Sequence, residues 1–541
     1  MNTSNGAKGT TKTFDYIVVG AGSAGCVVAS RLAENPSLRV LLLEAGPADK
    51  SVILSMPAAL GLPLENDRFN WQFKSEPEPG LGMRVSDQHR GRVLGGSSSI
   101  NGMVFVRGNR RDFDGWSKQG LPDWSYDKCL PFFKKMETFD GGEDAYRGGD
   151  GPLRVHRCEA KSPLYQAFLN AGQDYGLKFN PDQNGADQEG VNIAQATTAG
   201  GVRESTARAY LHRPGIRPNL TIQTGALVSE VLISGNRATG VAYSREGQSV
   251  RAEAEREVIL CGGAFGTPHL LMLSGVGDAD HLRSCGIMAR QHLPGVGSNL
   301  QDHVAVPIQY TTRKAISPTA ELSKFGRLVT GAKWLLAKRG LGVSNYFEVG
   351  AFFRGNESVS YPNLQHEFFP MIGEFYRGEA RVMDGFQYFT SVMRPKSRGT
   401  VRLKSADPSM APEIRLNFLT HQDDMTEMKE GVRRTLDMIA QKGWDELRGT
   451  KVSPDVDPSD ERALEEWIRA NAGTGYHAVS TCRMGTDPMA VTDTNGLVHG
   501  VSGLRVVDAS LMPALVTGNT NASTIMIAEK LSASIMRAAA V

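Results

Sequence analysis

The chain is predicted to fold as two units, an α/β unit on a parallel sheet and an α+β unit with a mostly antiparallel sheet. Three observations predict this. Near the start, residues 15–19, a glycine-rich turn, a short apolar run and residues 39–43 read as strand, turn, helix, strand. Strand-like runs ending in polar or glycine turns before helical stretches return at 256–261 and 504–508. Between about 305 and 470 the texture shifts to clustered aromatics and alternating strands. Strands alternating with helices suit a parallel sheet, and runs of strands suit an antiparallel one. At 541 residues the chain is also too long for one simple core.

The first stretch carries the most. The buried strand 15–19 runs straight into Gly20-Ala21-Gly22-Ser23-Ala24-Gly25, an apolar helix runs to Leu32, and the next strand ends at Glu44. That order is a Rossmann-like dinucleotide-binding unit. Gly20 permits the tight turn, Gly22 lets a pyrophosphate reach the backbone, and Gly25 lets the helix pack close to the sheet. The phosphates then face free N–H groups at the helix N-terminus. Glu44 stands 24 residues past Gly20, where its carboxylate can accept from ribose hydroxyls and repel a 2′-phosphate. The unit alone does not separate NAD from FAD.

Further along, 91–103 pairs glycines and a triple serine with Leu94, Ile100 and Met103, too apolar for a flexible linker and suited to backbone passing a ligand. Residues 219–224 and 226–231 alternate as strands. A glycine turn at 262–268 is expected to precede a helix from Leu270. Residues 294–303 read as a polar, donor-rich loop. The aromatics Tyr346, Phe347, Phe352, Phe353, Phe368, Phe369, Phe375, Tyr376, Phe386, Tyr388 and Phe389 read mainly as core, with about one in four lining a pocket. A strand at 399–403, a charged helix at 423–440, a strand at 504–508, a turn at 518–521 and a helix at 523–537 complete the chain. The expected division assigns 1–155, 221–305 and 471–541 to the nucleotide unit and 156–220 and 306–470 to the substrate unit.

Composition excludes several classes. Lys+Arg 60 against Asp+Glu 58 leaves no basic excess for nucleic acid. Six cysteines without a CxxC pair or regular spacing suit a reduced, cytoplasmic chain, and no metal ligand set is expected. Residues 1–13 read as a loose polar terminus without a secretion signal, and no run has the length of a membrane span.

Four stretches together, 20–25, 91–108, 263–277 and 476–521, resemble the glucose–methanol–choline (GMC) flavin oxidoreductases, and the likeness runs over nearly the whole chain. The most specific is Gly263-Ala264-Phe265-Gly266-Thr267-Pro268-His269-Leu270-Leu271-Met272-Leu273-Ser274-Gly275-Val276-Gly277. The resemblance is nearest to choline dehydrogenases and bacterial FAD-dependent alcohol dehydrogenases. It implies FAD as the dinucleotide. By motif position, the FAD contacts implied are Gly20, Gly22, Ser23, Ala24, Gly25, Glu44, Ala45, Arg92, Leu94, Gly95, Gly96, Asn101, Gly102, Met103, Val104, Val228, Asp508, Ala509, Asn519 and Thr520. Some relatives attach FAD through a histidine where this chain has Ile100, so noncovalent FAD is expected.

The resemblance also implies that His477 and Asn519 are the catalytic pair. His477 would accept the hydroxyl proton of a primary alcohol as hydride moves to the flavin, and Asn519 would hold the substrate oxygen. The helix after Asn521 would stabilise negative charge on reduced flavin. Glu348 matches a carboxylate that faces the trimethylammonium of choline in related enzymes, with Tyr346, Phe347 and Tyr476 as aromatic faces. A paired structural carboxylate is the alternative reading of Glu348, and a neutral alcohol the alternative substrate. The implied acceptor is a quinone or other acceptor, with O₂ and hence an oxidase as the rival. A hydroxynitrile-lyase-type non-redox flavoprotein is a third reading. Peripheral contact with the inner membrane stays open.

Overall fold

The computed structural model describes residues 12–213, 218–376 and 379–539, leaving aside the side chains of 374–381. Most of the loose terminus expected at 1–13 therefore lies outside the described residues, as do the side chains of Phe375 and Tyr376. Lys12 and Thr13 already belong to the first strand, Lys12–Val19.

That strand is central to the nucleotide unit. It pairs in parallel with Val40–Glu44 on one side and Gln248–Leu260 on the other. Leu220–Thr224 extends the sheet beyond Val40–Glu44, and Leu504–Val506 beyond Gln248–Leu260, all in parallel. The hairpin Ala226–Ser234 and Arg237–Arg245 adds antiparallel to the first half of Gln248–Leu260. Val40–Glu44 is buried at every position. Covering on both faces is why its sequence is a continuous apolar run instead of an alternation.

Helix Ser23–Leu32 packs on this sheet as tightly as the glycines require. A Cβ on Gly25 would stand 1.8 Å from the Gly20 carbonyl oxygen. Helix Asn521–Ala539 lies against it. Buried Glu529 joins the two ends of the chain, accepting from Arg31 Nε at 2.9 Å, Arg31 Nη2 at 2.6 Å and Tyr210 Oη at 2.8 Å. A buried carboxylate is tolerated when paired in this way.

The glycine turn expected at 262–268 is instead the first turns of a helix, Gly263–Leu273, with Pro268 inside it. Proline removes the bond that would reach the Ala264 carbonyl. Here Thr481 Oγ1 donates to that carbonyl at 2.7 Å, so the helix persists.

The second unit is a sheet in the order Arg448–Ser453, Val304–Thr312, Gly385–Val392, Leu364–Phe369, Val349–Phe353, Gly190–Ile193. Every pairing in it is antiparallel. Its core takes up Phe353, Phe368, Phe386 and Tyr388 of the clustered aromatics, with Trp444, under helix Gln422–Ile439. The edge strand Gly190–Ile193 comes from the earlier segment. Strands Leu220–Thr224 and Val304–Thr312 begin one or two residues before the expected divisions at 220/221 and 305/306. Among the described residues no helix is long and apolar enough to cross a membrane.

Candidate active site

The parallel strands end together at Val19, Leu43–Glu44 and Leu260, with Asp508 just past Leu504–Val506. These ends line a cavity of about 530 Å³. Ligands of open α/β sheets bind in this crevice, outside the carboxyl ends of the strands. The second sheet and the segment after it close the far side with Phe347, Glu367, Tyr476 and His477.

A dinucleotide fits the near side. Two loops meet there backbone to backbone, since a Cβ on Gly96 would stand 2.6 Å from the Gly22 Cα. A Cβ on Gly22 would have only Gly96 Cα, at 3.9 Å, as a neighbour, so the space beside it belongs to the cavity. Helices Ser23–Leu32 and Asn521–Ala539 both begin at this wall, joined by Ser23 Oγ donating to Asn521 Oδ1 at 2.7 Å. Two helix N-termini favour an anion here. Glu44 is fixed by N–H donors from Ala21 at 3.0 Å and Gly46 at 2.8 Å, and burial pushes its pKa up to about 7.

Most of the expected cofactor contacts line the cavity: Gly20, Gly22, Ser23, Ala24, Glu44, Ala45, Gly96, Asn101, Gly102, Met103, Val104, Val228, Asp508, Ala509, Asn519 and Thr520. Four do not. Gly25 packs against Gly20, Leu94 is core, and Arg92 lies over the Trp71 ring at 5.1 Å. Gly95 turns the loop at φ +91°, where a Cβ would meet Ser99 Oγ at 2.2 Å. These four shape the loops instead of touching the space.

The expected catalytic pair comes together. Asn519 Nδ2 stands 3.0 Å from His477 Nε2, and donates to Glu367 Oε1 at 3.1 Å. Behind them, His303 Nδ1 is 2.9 Å from His477 Nδ1, and His303 Nε2 is 3.1 Å from the Met393 carbonyl oxygen. This network assigns the protons. A carbonyl can only accept, so His303 Nε2 carries hydrogen. His303 is buried and its pKa is pushed down to about 3, mainly by desolvation, so the ring is neutral and its Nδ1 is a bare acceptor. His477 Nδ1 must then donate to it. Burial, with His303 and Arg90 adding to it, holds His477 well below the ordinary histidine range, so its Nε2 is left with a lone pair toward the cavity. The Asn519 amide accordingly gives one N–H to that nitrogen and one to Glu367. Its Oδ1 is buried and without a partner, an acceptor available to a ligand.

Asp302 anchors the base from the main chain. Its Oδ1 accepts from the His477 N–H at 2.7 Å and its Oδ2 from Thr474 Oγ1 at 2.6 Å. Burial raises Asp302 to about 6, against the pull of Arg90. The strain of the segment is local, with Tyr476 at φ +63° immediately before His477.

The expected substrate carboxylate needs correction. Glu348 does not line the cavity. Its Oε2 accepts from the Ala160 N–H at 2.8 Å and its Oε1 from Ser344 Oγ at 2.5 Å, which makes it a paired structural carboxylate. Tyr346 is also buried in the core, its hydroxyl donating to Ala58 O at 3.3 Å. Phe347 and Tyr476 do face the cavity, and of the clustered aromatics with described side chains only Phe347 does. Glu367 is the carboxylate that lines it beside Asn519 and Phe347, raised by burial despite the Asn519 hydrogen bond. Sequence reasoning missed Glu367, Asp302 and His303. One signal was available for Glu367: a charged residue within the otherwise uncharged strand Leu364–Phe369.

The chain also matches known proteins. The family models described as GMC oxidoreductase match residues 14–305 and 395–528. The chain is 46% identical over 529 residues to a protein named oxygen-dependent choline dehydrogenase 1 of Chromohalobacter salexigens, covering 96% of this chain and 94% of that one. It is 45% identical over 527 residues to an oxygen-dependent choline dehydrogenase of Escherichia coli, with 96% and 95% covered. Among solved structures it is similar to pyridoxine 4-oxidase from Mesorbium loti, with TM-score 0.88 and 29% identity over 97% of this chain and 99% of that one. An FAD-dependent oxidoreductase from Chaetomium thermophilum gives TM-score 0.88 and 25% identity, with 98% and 100% covered.

Proposed function

We propose a function from one premise: the chain belongs to the GMC oxidoreductase family. It is an FAD-dependent oxidoreductase acting on CH–OH donors, an alcohol dehydrogenase of the choline-dehydrogenase kind. The observation that carries the mechanism is the His303–His477 pair, which leaves a neutral imidazole Nε2 lone pair facing the cavity.

Overall, R–CH₂OH becomes R–CHO as two electrons and two protons leave. His477 Nε2 takes the hydroxyl proton. Without substrate, Asn519 Nδ2–H occupies that lone pair at 3.0 Å; the substrate hydroxyl displaces it, and the released amide N–H steers the substrate oxygen. As His477 gains charge, its Nδ1–H bond to His303 strengthens, because hydrogen bonds from charged donors are roughly twice as strong. FAD, when bound, supplies the two-electron acceptor for the carbon being oxidised. Gly22, Ser23, Glu44 and Gly96 would hold its nucleotide end, and Asn101, Met103, Asp508, Ala509 and Thr520 the remainder, with the N-terminus of Asn521–Ala539 favouring negative charge. We infer noncovalent binding, since the cavity-lining Ile100 stands where some relatives carry the attaching histidine; acid denaturation should release all the FAD.

We assign the substrate as choline or a similar amino alcohol. Its cation would face Glu367, flanked by Phe347 and Tyr476. The relatives' names point the same way. The acceptor we propose is a quinone, with the chain working peripherally at the cytoplasmic side of the inner membrane. Dioxygen is the rival, favoured by the word "oxygen-dependent" in the relatives' names. Anaerobic mixing with choline and with neutral alcohols tests the substrate through the flavin absorbance. Bleaching by choline at the lowest concentration supports the assignment, and bleaching by neutral alcohols alone overturns it. Comparing reoxidation by air and by a soluble quinone then decides the acceptor.

A further inference from the structure

The helix Lys324–Ala337 is amphipathic in the wrong direction for a soluble surface. Phe325, Leu328, Val329, Ala332, Leu335 and Leu336 recur at helical spacing and form one stripe. That stripe points outward. Phe325 is 76% exposed, Leu328 72%, Leu335 55% and Leu336 89%. The face turned to the protein carries Arg327, Thr330, Gly331, Trp334 and Lys338, of which only Trp334 is fully buried, its Nε1 donating to Gly201 O at 2.7 Å. Folding therefore leaves the apolar face of this helix uncovered, which marks an interaction surface.

Its charge indicates the occupant. Residues 324–339 contain Lys324, Arg327, Lys333, Lys338 and Arg339 and no acid. A second copy of the chain docked face to face would bring two such cationic sets together, which an isologous interface does not favour. An anionic bilayer instead meets the exposed Lys324, Lys333 and Arg339 with its headgroups and the exposed leucines and phenylalanine with its acyl boundary.

The helix is also joined to the active site by apolar contact. Leu322 just before it and Leu341 just after it belong to one cluster with Leu60, Met103 and Phe347, and those three line the cavity.

We propose that Lys324–Ala337 is the element by which the protein lies on a membrane of anionic phospholipid, holding the cavity against the bilayer. This deepens the peripheral membrane reading above, on which it rests.

The test is co-sedimentation of the holoenzyme with vesicles of phosphatidylethanolamine and phosphatidylglycerol, and with vesicles of phosphatidylcholine alone. Two double variants are compared with the parent, Leu328→Asp with Leu336→Asp, and Lys324→Glu with Lys333→Glu. All four positions are exposed, so folding is not at stake. The parent is expected to bind the anionic vesicles, less so at high salt, and each double variant to bind at least ~10-fold more weakly. Alcohol oxidation with a water-soluble dye should be unchanged in both. Double variants that bind like the parent would show that another face docks. Parent protein that ignores all vesicles, or that proves to be a dimer which Leu328→Asp with Leu336→Asp dissolves, overturns the proposal. The dye assay separates this from a failure of the enzymatic reading, because vesicle binding needs no turnover.

Discussion

His303 is expected to set the competence of the base without itself touching the substrate. It stands 2.9 Å behind His477 and accepts its Nδ1–H. Replacing it with alanine has two consequences for the rate. When His477 becomes an imidazolium, the lost bond is charge-assisted, worth about 1–1.5 kcal/mol more than the neutral bond lost in the ground state. Only that difference slows the reaction. In addition, a buried Nδ1–H without an acceptor costs about 1 kcal/mol or more, which favours the other tautomer and moves hydrogen onto Nε2. Together these are about 2–2.5 kcal/mol, or roughly 30- to 70-fold in the rate of alcohol-driven flavin bleaching. The assay is anaerobic stopped-flow absorbance on protein with full FAD content and an unchanged far-ultraviolet spectrum. His303→Asn should recover most of the rate, because asparagine Oδ1 stands where imidazole Nδ1 did and can accept the same proton. His303→Ala at the parent rate, or His303→Asn no better than His303→Ala, would refute the tautomer argument.

Other outcomes follow from the same geometry. His477 is held below the ordinary histidine value, so the base is active above its lowered pKa and lost as pH falls through it. The kcat/KM for alcohol should stay level as pH is lowered to about 6.5, and a loss centred at 6.5 or above would contradict the shift. Gly22→Ala should keep the fold of the apoprotein, its Cβ having only a 3.9 Å neighbour, yet weaken FAD binding roughly 10- to 100-fold. Gly25→Ala, with a Cβ at 1.8 Å from Gly20 O, should lower the melting temperature instead; equal behaviour of the two in calorimetry and FAD titration would argue against the cavity as drawn. Glu367→Gln should raise the KM for choline at least tenfold and leave that for a neutral alcohol within about twofold. Equal shifts for both substrates would show that Glu367 does not read the cation.

The nucleotide unit was legible because its signals are local. Gly20, Gly22, Gly25 and Glu44 lie within one strand–helix–strand run; close backbone contacts require Gly20 and Gly25, and Gly22 borders the cavity. The catalytic pair was reached through resemblance, since a single histidine carries little signal of its own. What stayed hidden depends on pairs distant in sequence. His303 meets His477 across 174 residues, and Glu367 meets Asn519 across 152. No periodicity encodes such pairings. Glu348 shows the reverse error. The resemblance offered it as the carboxylate facing a cation, but its carboxylate is taken up by Ala160 N–H and Ser344 Oγ, the first of them 188 residues away. The helix at Gly263–Leu273 was shortened for a related reason, because the hydroxyl that lets it pass through Pro268 comes from Thr481.

The central claim is that His477 takes the alcohol proton from its place on the cavity wall. Its most direct test is His477→Ala mixed anaerobically with substrate while the flavin absorbance is followed. The variant should hold FAD as the parent does and bleach at least ~10²-fold more slowly. Bleaching at the parent rate with full FAD would remove His477 from the reaction and the account with it.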